Sequence, residues 1–180
     1  MMEQTKNIVY FDLETQYLSH EVGGWDHIEQ MRLAVAVTYS TARGQFACYT
    51  EDTVSMLIDE LVHADLVVGF NILRFDYIVL SPYTAHNLSQ LPSLDIMVEL
   101  QRRLGHRVKL EMCTAATLDC SKGGDGVQAV QWFREGRIDQ VARYCEQDVD
   151  LVRGLHEYGR QHKQVLVDTY SGRKVVSVDW

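Results

Sequence analysis

Residues 7–13 (NIVYFDL) limit the fold more than any other stretch of the chain. Side chains alternate along a β-strand, so Val9, Phe11 and Leu13 lie on one face and Ile8 and Tyr10 on the other. Both faces are mainly apolar. Such a strand has to be covered on both sides, which makes it a central strand of a layered sheet. Residues 31–39 (MRLAVAVTY) and 45–49 read as two further strands joined by a turn around Gly44. With the first strand they form an antiparallel meander.

The rest of the chain alternates between short strands and helices. Asp52 or Thr53 is a candidate cap for a helix to about residue 63, with Val54, Leu57, Ile58, Leu61 and Val62 at helical spacing. Residues 66–70 read as a short buried strand, 75–80 as a helix, 94–96 as a strand and 97–104 as a helix. Short helices around a glycine-rich loop are expected over 114–132, and a long helix over 138–158. The tail reads as a hairpin, 165–169 and 174–178, turning at Ser171-Gly172. A meander followed by alternating strands and helices predicts a mixed α/β sheet. The 180 residues suit one domain, 1–180, and no internal repeat or low-complexity linker divides them.

Three separate acidic signals stand next to buried structure. Asp12 and Glu14 are two apart at the end of the apolar strand and so share a face. Asn71 follows the buried strand 66–70, and Asp76 begins the next helix. On the helix from Ile138 the apolar stripe runs through Val141, Cys145, Val152 and Leu155, and Asp148 falls on that stripe. Each alone has a plain structural explanation: strand-edge charges, helix capping, and a buried ion pair, respectively. Together they suggest a carboxylate site for hard cations, Mg²⁺ or Mn²⁺. Two such ions about 4 Å apart can activate a water and stabilise the leaving oxygen of a phosphodiester.

The pattern resembles the DEDD superfamily of 3′–5′ exonucleases, in the subgroup with a tyrosine in the last motif. It is most similar to the exonuclease domains of family B DNA polymerases and their stand-alone relatives. Asp12-Leu13-Glu14 matches the first motif, Asn71-Ile72-Leu73-Arg74-Phe75-Asp76 the second, and Tyr144-Cys145-Glu146-Gln147-Asp148 the third, in the family's order. The likeness covers roughly residues 8–158. It implies a ribonuclease-H-like three-layer fold, with a central mixed sheet flanked by helices. It also implies hydrolysis of DNA or RNA from the 3′ end, releasing nucleoside monophosphates. By resemblance Asp12, Glu14, Asp76 and Asp148 hold two divalent cations, Mg²⁺ or Mn²⁺, with Asp12 bridging both. Tyr144 orients the attacking water, Asn71 touches substrate or supports the second motif, and Thr15 lies near the terminal nucleotide. The implied partner is a nucleic acid with a free 3′ end, single-stranded, with room for a helicase or polymerase partner and no membrane.

Other features carry less. Arg102, Arg103, His106, Arg107 and Lys109 form a basic run that suits either phosphate contact or a solvated helix end. Lys122-Gly123-Gly124-Asp125-Gly126 lacks the spacing of a nucleotide-binding P-loop and reads as a loop, with Lys122 a candidate substrate contact. Trp25 and Tyr17, in a segment 17–30 too long for a tight hairpin, are candidates to stack on a terminal base. The formal net charge of −8 argues against coating nucleic acid by bulk electrostatics, though a carboxylate site itself adds negative charge. Cys48, Cys113, Cys120 and Cys145 show no paired spacing, and no signal or membrane-spanning pattern occurs, so a cytoplasmic protein is expected. A binding module of the same fold without turnover, and a ribonuclease-H-like endonuclease, are the rival readings.

Overall fold

The computed structural model describes residues 6–120 and 125–180. Five strands form one mixed sheet: β1 (Ile8–Thr15), β2 (Leu33–Ser40), β3 (Gln45–Thr50), β4 (Leu66–Gly69) and β5 (Ser93–Asp95). Their order is β3-β2-β1-β4-β5, with β1 in the middle as its two apolar faces predict. β1, β2 and β3 are the antiparallel meander, whereas β4 and β5 run parallel to β1.

Helices cover both faces. They are α1 (Val54–Val62), α2 (Asp76–Leu80), α3 (Ile96–Leu104), α4 (Leu110–Leu118), α5 (Gly126–Arg134) and α6 (Ile138–His162). One core gathers Val9, Phe11 and Leu13 with Leu57 and Leu61 of α1 and Tyr77, Val79 and Leu80 of α2. The other gathers Tyr10, Val35, Val37 and Val68 with Val141, Cys145, Val149, Val152 and Leu155 of α6. The even positions of β1 therefore face α6, and this alternation decides on which side its two acids emerge. The hairpin β6 (Gln164–Thr169) and β7 (Gly172–Ser177) closes the α6 side, with Val165, Val167 and Val176 in that core. No helix among the described residues is long and apolar enough to cross a membrane.

The structure shifts several expected boundaries. β1 runs two residues past Leu13, because Glu14 and Thr15 keep pairing with β2 across a register shift. Thr53 precedes α1, but its hydroxyl accepts the Thr50 N–H at 2.9 Å instead of capping the helix. The terminal hairpin turns on Tyr170 and Ser171, and Gly172 with φ 103° already belongs to β7. Segment 17–30 contains 3₁₀ helix over Ser19–Glu21 and over Trp25–Gln30, the latter broken by a kink at His27. Ile28 and Met31 are buried in the α1–α2 core, and Arg134 of α5 reaches both carboxylate oxygens of Glu21 at 2.6 and 2.7 Å.

Candidate active site

The sheet is unequal at the end of β1, and that inequality makes room for a site. β4 pairs with β1 only over Ile8–Tyr10 and stops at Gly69. A Cβ at Gly69 would lie 2.2 Å from Cγ2 of Ile72 and 3.0 Å from the Phe11 carbonyl oxygen. Only glycine lets the chain leave the sheet this closely. The next turn passes through Asn71 in the left-handed region, φ 69°, a conformation asparagine tolerates better than most residues.

The flank of β1 that β4 vacates is filled by a carboxylate. Asp76, the first residue of α2, accepts the Leu13 N–H on Oδ1 at 3.2 Å. Its side chain is 2% exposed, and burial, followed by the nearby Asp12 charge, pushes its carboxyl well above the usual range. An acid so placed suits a cation beside it, because a carboxylate leaving water needs compensating charge.

On the α6 face, Asp12 and Glu14 meet Asp148. Each of the three offers an oxygen, and these atoms lie within 4.8 Å of one another. Glu14 is 8% and Asp148 2% exposed. Helix α6 comes close to β1 here: the Cys145 thiol donates to the Asp12 carbonyl oxygen at 3.2 Å, and Asp148 follows three residues later on the same face. Burial, then Asp12, Glu14 and Asp148, raise the Cys145 thiol well above its ordinary range. The first residue of α5, Gly126, lies beside Glu14; a Cβ there would be 3.9 Å from its Oε2. The positive end of that helix favours the carboxylate.

The sequence-derived residues are thus only partly brought together. Asp12, Glu14 and Asp148 form one group, and Asp76 stands outside it, near enough for the Asp12 charge to raise its carboxyl. Tyr144 is buried one turn before Asp148, with its ring edge-on to Trp132 at 6.1 Å. Thr15 is buried, and its hydroxyl donates to the Tyr17 carbonyl at 2.9 Å. The Asn71 side chain accepts from Arg107 at 3.1 Å. Lys122 lies outside the described residues. The basic run divides: Arg102 and Arg103 pair with Glu99, and Arg103 also with Asp179, while Arg107 turns to Asn71.

One residue of this region escaped sequence reasoning. Asp95, at the end of β5 and 3% exposed, accepts the N–H groups of Asn71 at 2.8 Å, Leu73 at 3.0 Å and Val98 at 3.2 Å. It caps α3 and at the same time ties down the loop between β4 and α2. An acid directly before a helical pattern was the available signal.

No family model and no curated protein matches this sequence. Among solved structures, the family B DNA polymerase from the hyperthermophilic archaeon Pyrobaculum calidifontis matches 88% of the chain with a TM-score of 0.60 at 16% identity. The zinc-bound complex of E. coli ExoI with single-stranded DNA matches 89% with a TM-score of 0.57 at 11% identity. Exonuclease I in complex with the inhibitor BCBP gives a TM-score of 0.53 over 89% at 12% identity. The chain spans 25% of the polymerase and 41–42% of the two exonuclease chains. At such identities the likeness speaks for the fold. The chain has the ribonuclease-H-like fold of these polymerase and exonuclease structures, and on that fold Asp12, Glu14 and Asp148 form one carboxylate cluster.

Proposed function

We propose that the chain is a single ribonuclease-H-like domain that hydrolyses phosphodiester bonds from the 3′ end of DNA or RNA and releases nucleoside monophosphates. The observation that carries this reading is the all-carboxylate group Asp12, Glu14 and Asp148, with oxygens within 4.8 Å of one another, and the buried Asp76 close enough to feel the Asp12 charge. Hard divalent cations, Mg²⁺ or Mn²⁺, take ligands of this kind. Two such cations, when bound, supply the charge that offsets the carboxylates and stabilises the reacting phosphate, and make water nucleophilic at neutral pH. Asp12, Glu14 and Asp148 would hold them, with Asp76 serving the second from the other flank of β1.

The remaining roles belong to side chains around that group. Tyr144, through its phenol hydroxyl, can accept from and donate to the attacking water and so orient it. Thr15 follows Glu14 on β1 and fits contact with the terminal nucleotide through its backbone. Lys122 is read as a contact to the phosphate. The partner is a nucleic acid with a free 3′ end, and the likeness to an exonuclease solved with single-stranded DNA supports an unpaired strand.

The test is incubation with 5′-labelled single-stranded DNA and RNA, with Mn²⁺ or Mg²⁺ and with chelator. A metal-dependent ladder shortening from the 3′ end is expected, a closed circular strand is expected to survive, and Asp12→Ala or Asp148→Ala is expected to abolish both ladders while remaining folded. Full activity in purified Asp12→Ala would defeat the assignment.

A further inference from the structure

We propose that Trp25, Phe75, Arg74 and Arg107 form a subsite for an unpaired nucleotide of the strand entering the acidic site, its base against Trp25 and its phosphate on Arg107. This inference rests on the nuclease reading and names the residues that would hold the unpaired strand outside the acidic group.

Trp25 is the first observation. It is 67% exposed, an unusual position for the largest apolar side chain. Its ring touches the protein edge-on, 6.3 Å from that of Phe75. The backbone sets this pose. Gly23 and Gly24 have φ of 95° and 113°, conformations that side-chain-bearing residues rarely adopt, and the 3₁₀ stretch after them is pinned by the buried Ile28. The segment thus holds an aromatic face toward solvent instead of folding it inward.

The charges beside it are the second observation. Most arginines of this acidic chain are neutralised: Arg32 by Glu51, Arg134 by Glu21, Arg153 by Asp150 and Arg173 by Asp168. Arg107 and Arg74 instead meet neutral oxygens, Oδ1 of Asn71 and Oε1 of Gln101, each at 3.1 Å. Among the described residues neither has a carboxylate within ion-pair distance. These contacts fix the guanidinium groups and leave their charge for a ligand.

The third observation is shape and position. Trp25, Ile28, Asn71, Arg74, Phe75 and Arg107 line one cavity of about 510 Å³. That size suits a small ligand or a single nucleotide. Asn71, Arg74 and Phe75 lie in the loop between β4 and α2, and Phe75 directly precedes Asp76, so the cavity adjoins that acid through this loop. An exposed aromatic face beside unneutralised arginines is the arrangement that binds single strands, where stacking serves any base. A base inside a duplex has its faces covered by its neighbours and cannot stack on Trp25 without unstacking.

Equilibrium binding of a 5′-fluorescein-labelled oligothymidylate, in chelator so that nothing is cut, tests the proposal. Trp25→Ala is expected to weaken binding roughly ten- to a hundred-fold, and Trp25→Phe to recover most of the loss. Arg107→Ala is expected to weaken binding and to reduce the slope of log Kd against log salt by about 0.7, one single-strand phosphate contact. A blunt duplex of the same length is expected to bind more weakly and without dependence on Trp25. Melting temperatures confirm that each variant is folded. Unchanged affinity in Trp25→Ala, or no binding of the single strand by the unaltered protein, overturns the subsite. Binding that depends on Trp25 in a protein that cleaves nothing upholds the subsite and sinks the exonuclease reading. Cleavage without such dependence does the reverse.

Discussion

Asp76 Oδ1 accepts the backbone N–H of Leu13 at 3.2 Å, so a carboxylate from α2 takes the place that a longer β4 would fill on the central strand. The contact joins two of the three motifs: Leu13 sits between Asp12 and Glu14, and Asp76 ends the second. The charge is not needed for this bond, since any oxygen can accept it. Asp76→Asn is therefore expected to keep the fold and, in chelator, to melt at or above the unaltered protein, because it removes a buried carboxyl that burial and the Asp12 charge disfavour in its ionised form. Hydrolysis is expected to fall by about a hundredfold or more if the charge serves the reaction. Differential scanning fluorimetry and the oligonucleotide assay check the two halves. Wild-type turnover in this variant would leave Asp76 a purely structural acceptor.

Asp95 makes a comparable prediction for a residue outside the acidic group. Its carboxylate receives three backbone N–H groups, two of them from the loop that leads to Asp76. Asp95→Ala leaves these donors unsatisfied in a buried place and is expected to cost on the order of 3 kcal/mol in urea denaturation. Turnover is expected to fall as well, since Asn71 and Asp76 lose their anchor. Asp95→Asn retains one acceptor oxygen and is expected to recover part of both losses. A variant with lowered stability and unaltered kcat would show that the loop holds its shape without Asp95.

Gly69 is expected to resist substitution for a steric reason. A methyl group there meets Ile72 Cγ2 at 2.2 Å and the Phe11 carbonyl oxygen at 3.0 Å, and the latter is backbone and cannot swing aside. Gly69→Ala is expected to lose about 1–3 kcal/mol of stability. Ile72→Ala removes the closer obstacle, so the double variant is expected to lose less than the sum of the two single changes. Strict additivity in urea melts would put the strain elsewhere.

The central strand was legible because its pattern has one reading: apolar on both faces means covered on both sides, and β1 lies in the middle of the sheet. Asp148 was legible for the opposite reason, as a charge on a stripe where the helical period demands an apolar side chain. Asp95 was not. Its three donors come from Asn71, Leu73 and Val98, and the first two become neighbours only after β4 and β5 pair in parallel. The separation of Asp76 from the other three acids was equally hidden, because it depends on β4 ending before β1 does. The division of the basic run was hidden in a similar way. Four cations and a histidine lie close in sequence, yet Arg103 turns toward the C-terminal residues Ser177 and Asp179 and Arg107 toward Asn71. Sequence pattern reports periodicity and local caps; it does not report which backbone donors tertiary pairing will bring to a side chain.

His156 gives the chain a predictable sensitivity to acid, through a group outside the acidic cluster. It is buried on α6, its Nδ1 lies 2.9 Å from the Tyr10 hydroxyl, and its carbonyl oxygen accepts the Trp180 indole N–H at 3.2 Å. Burial, then the charge of Arg160, lowers its pKa from 6.5 to about 4. Between those values the unfolded chain binds a proton that the folded chain refuses, so stability falls as the pH drops through this window and is complete above it. The full effect is on the order of 3 kcal/mol, with a slope approaching about 1.4 kcal/mol per pH unit inside the window. His156→Gln cannot titrate. It is expected to be less stable at pH 7, through lost packing, but to lose about one proton's worth less stability on the way to pH 4.5. Urea melts of both proteins at half-unit steps from pH 4.5 to 7.5 measure the difference in slope, which cancels the carboxylates common to the two. Parallel curves would mean that His156 takes up its proton in the folded state as readily as in the unfolded one, and that Tyr10 and the surrounding core do not hold it neutral.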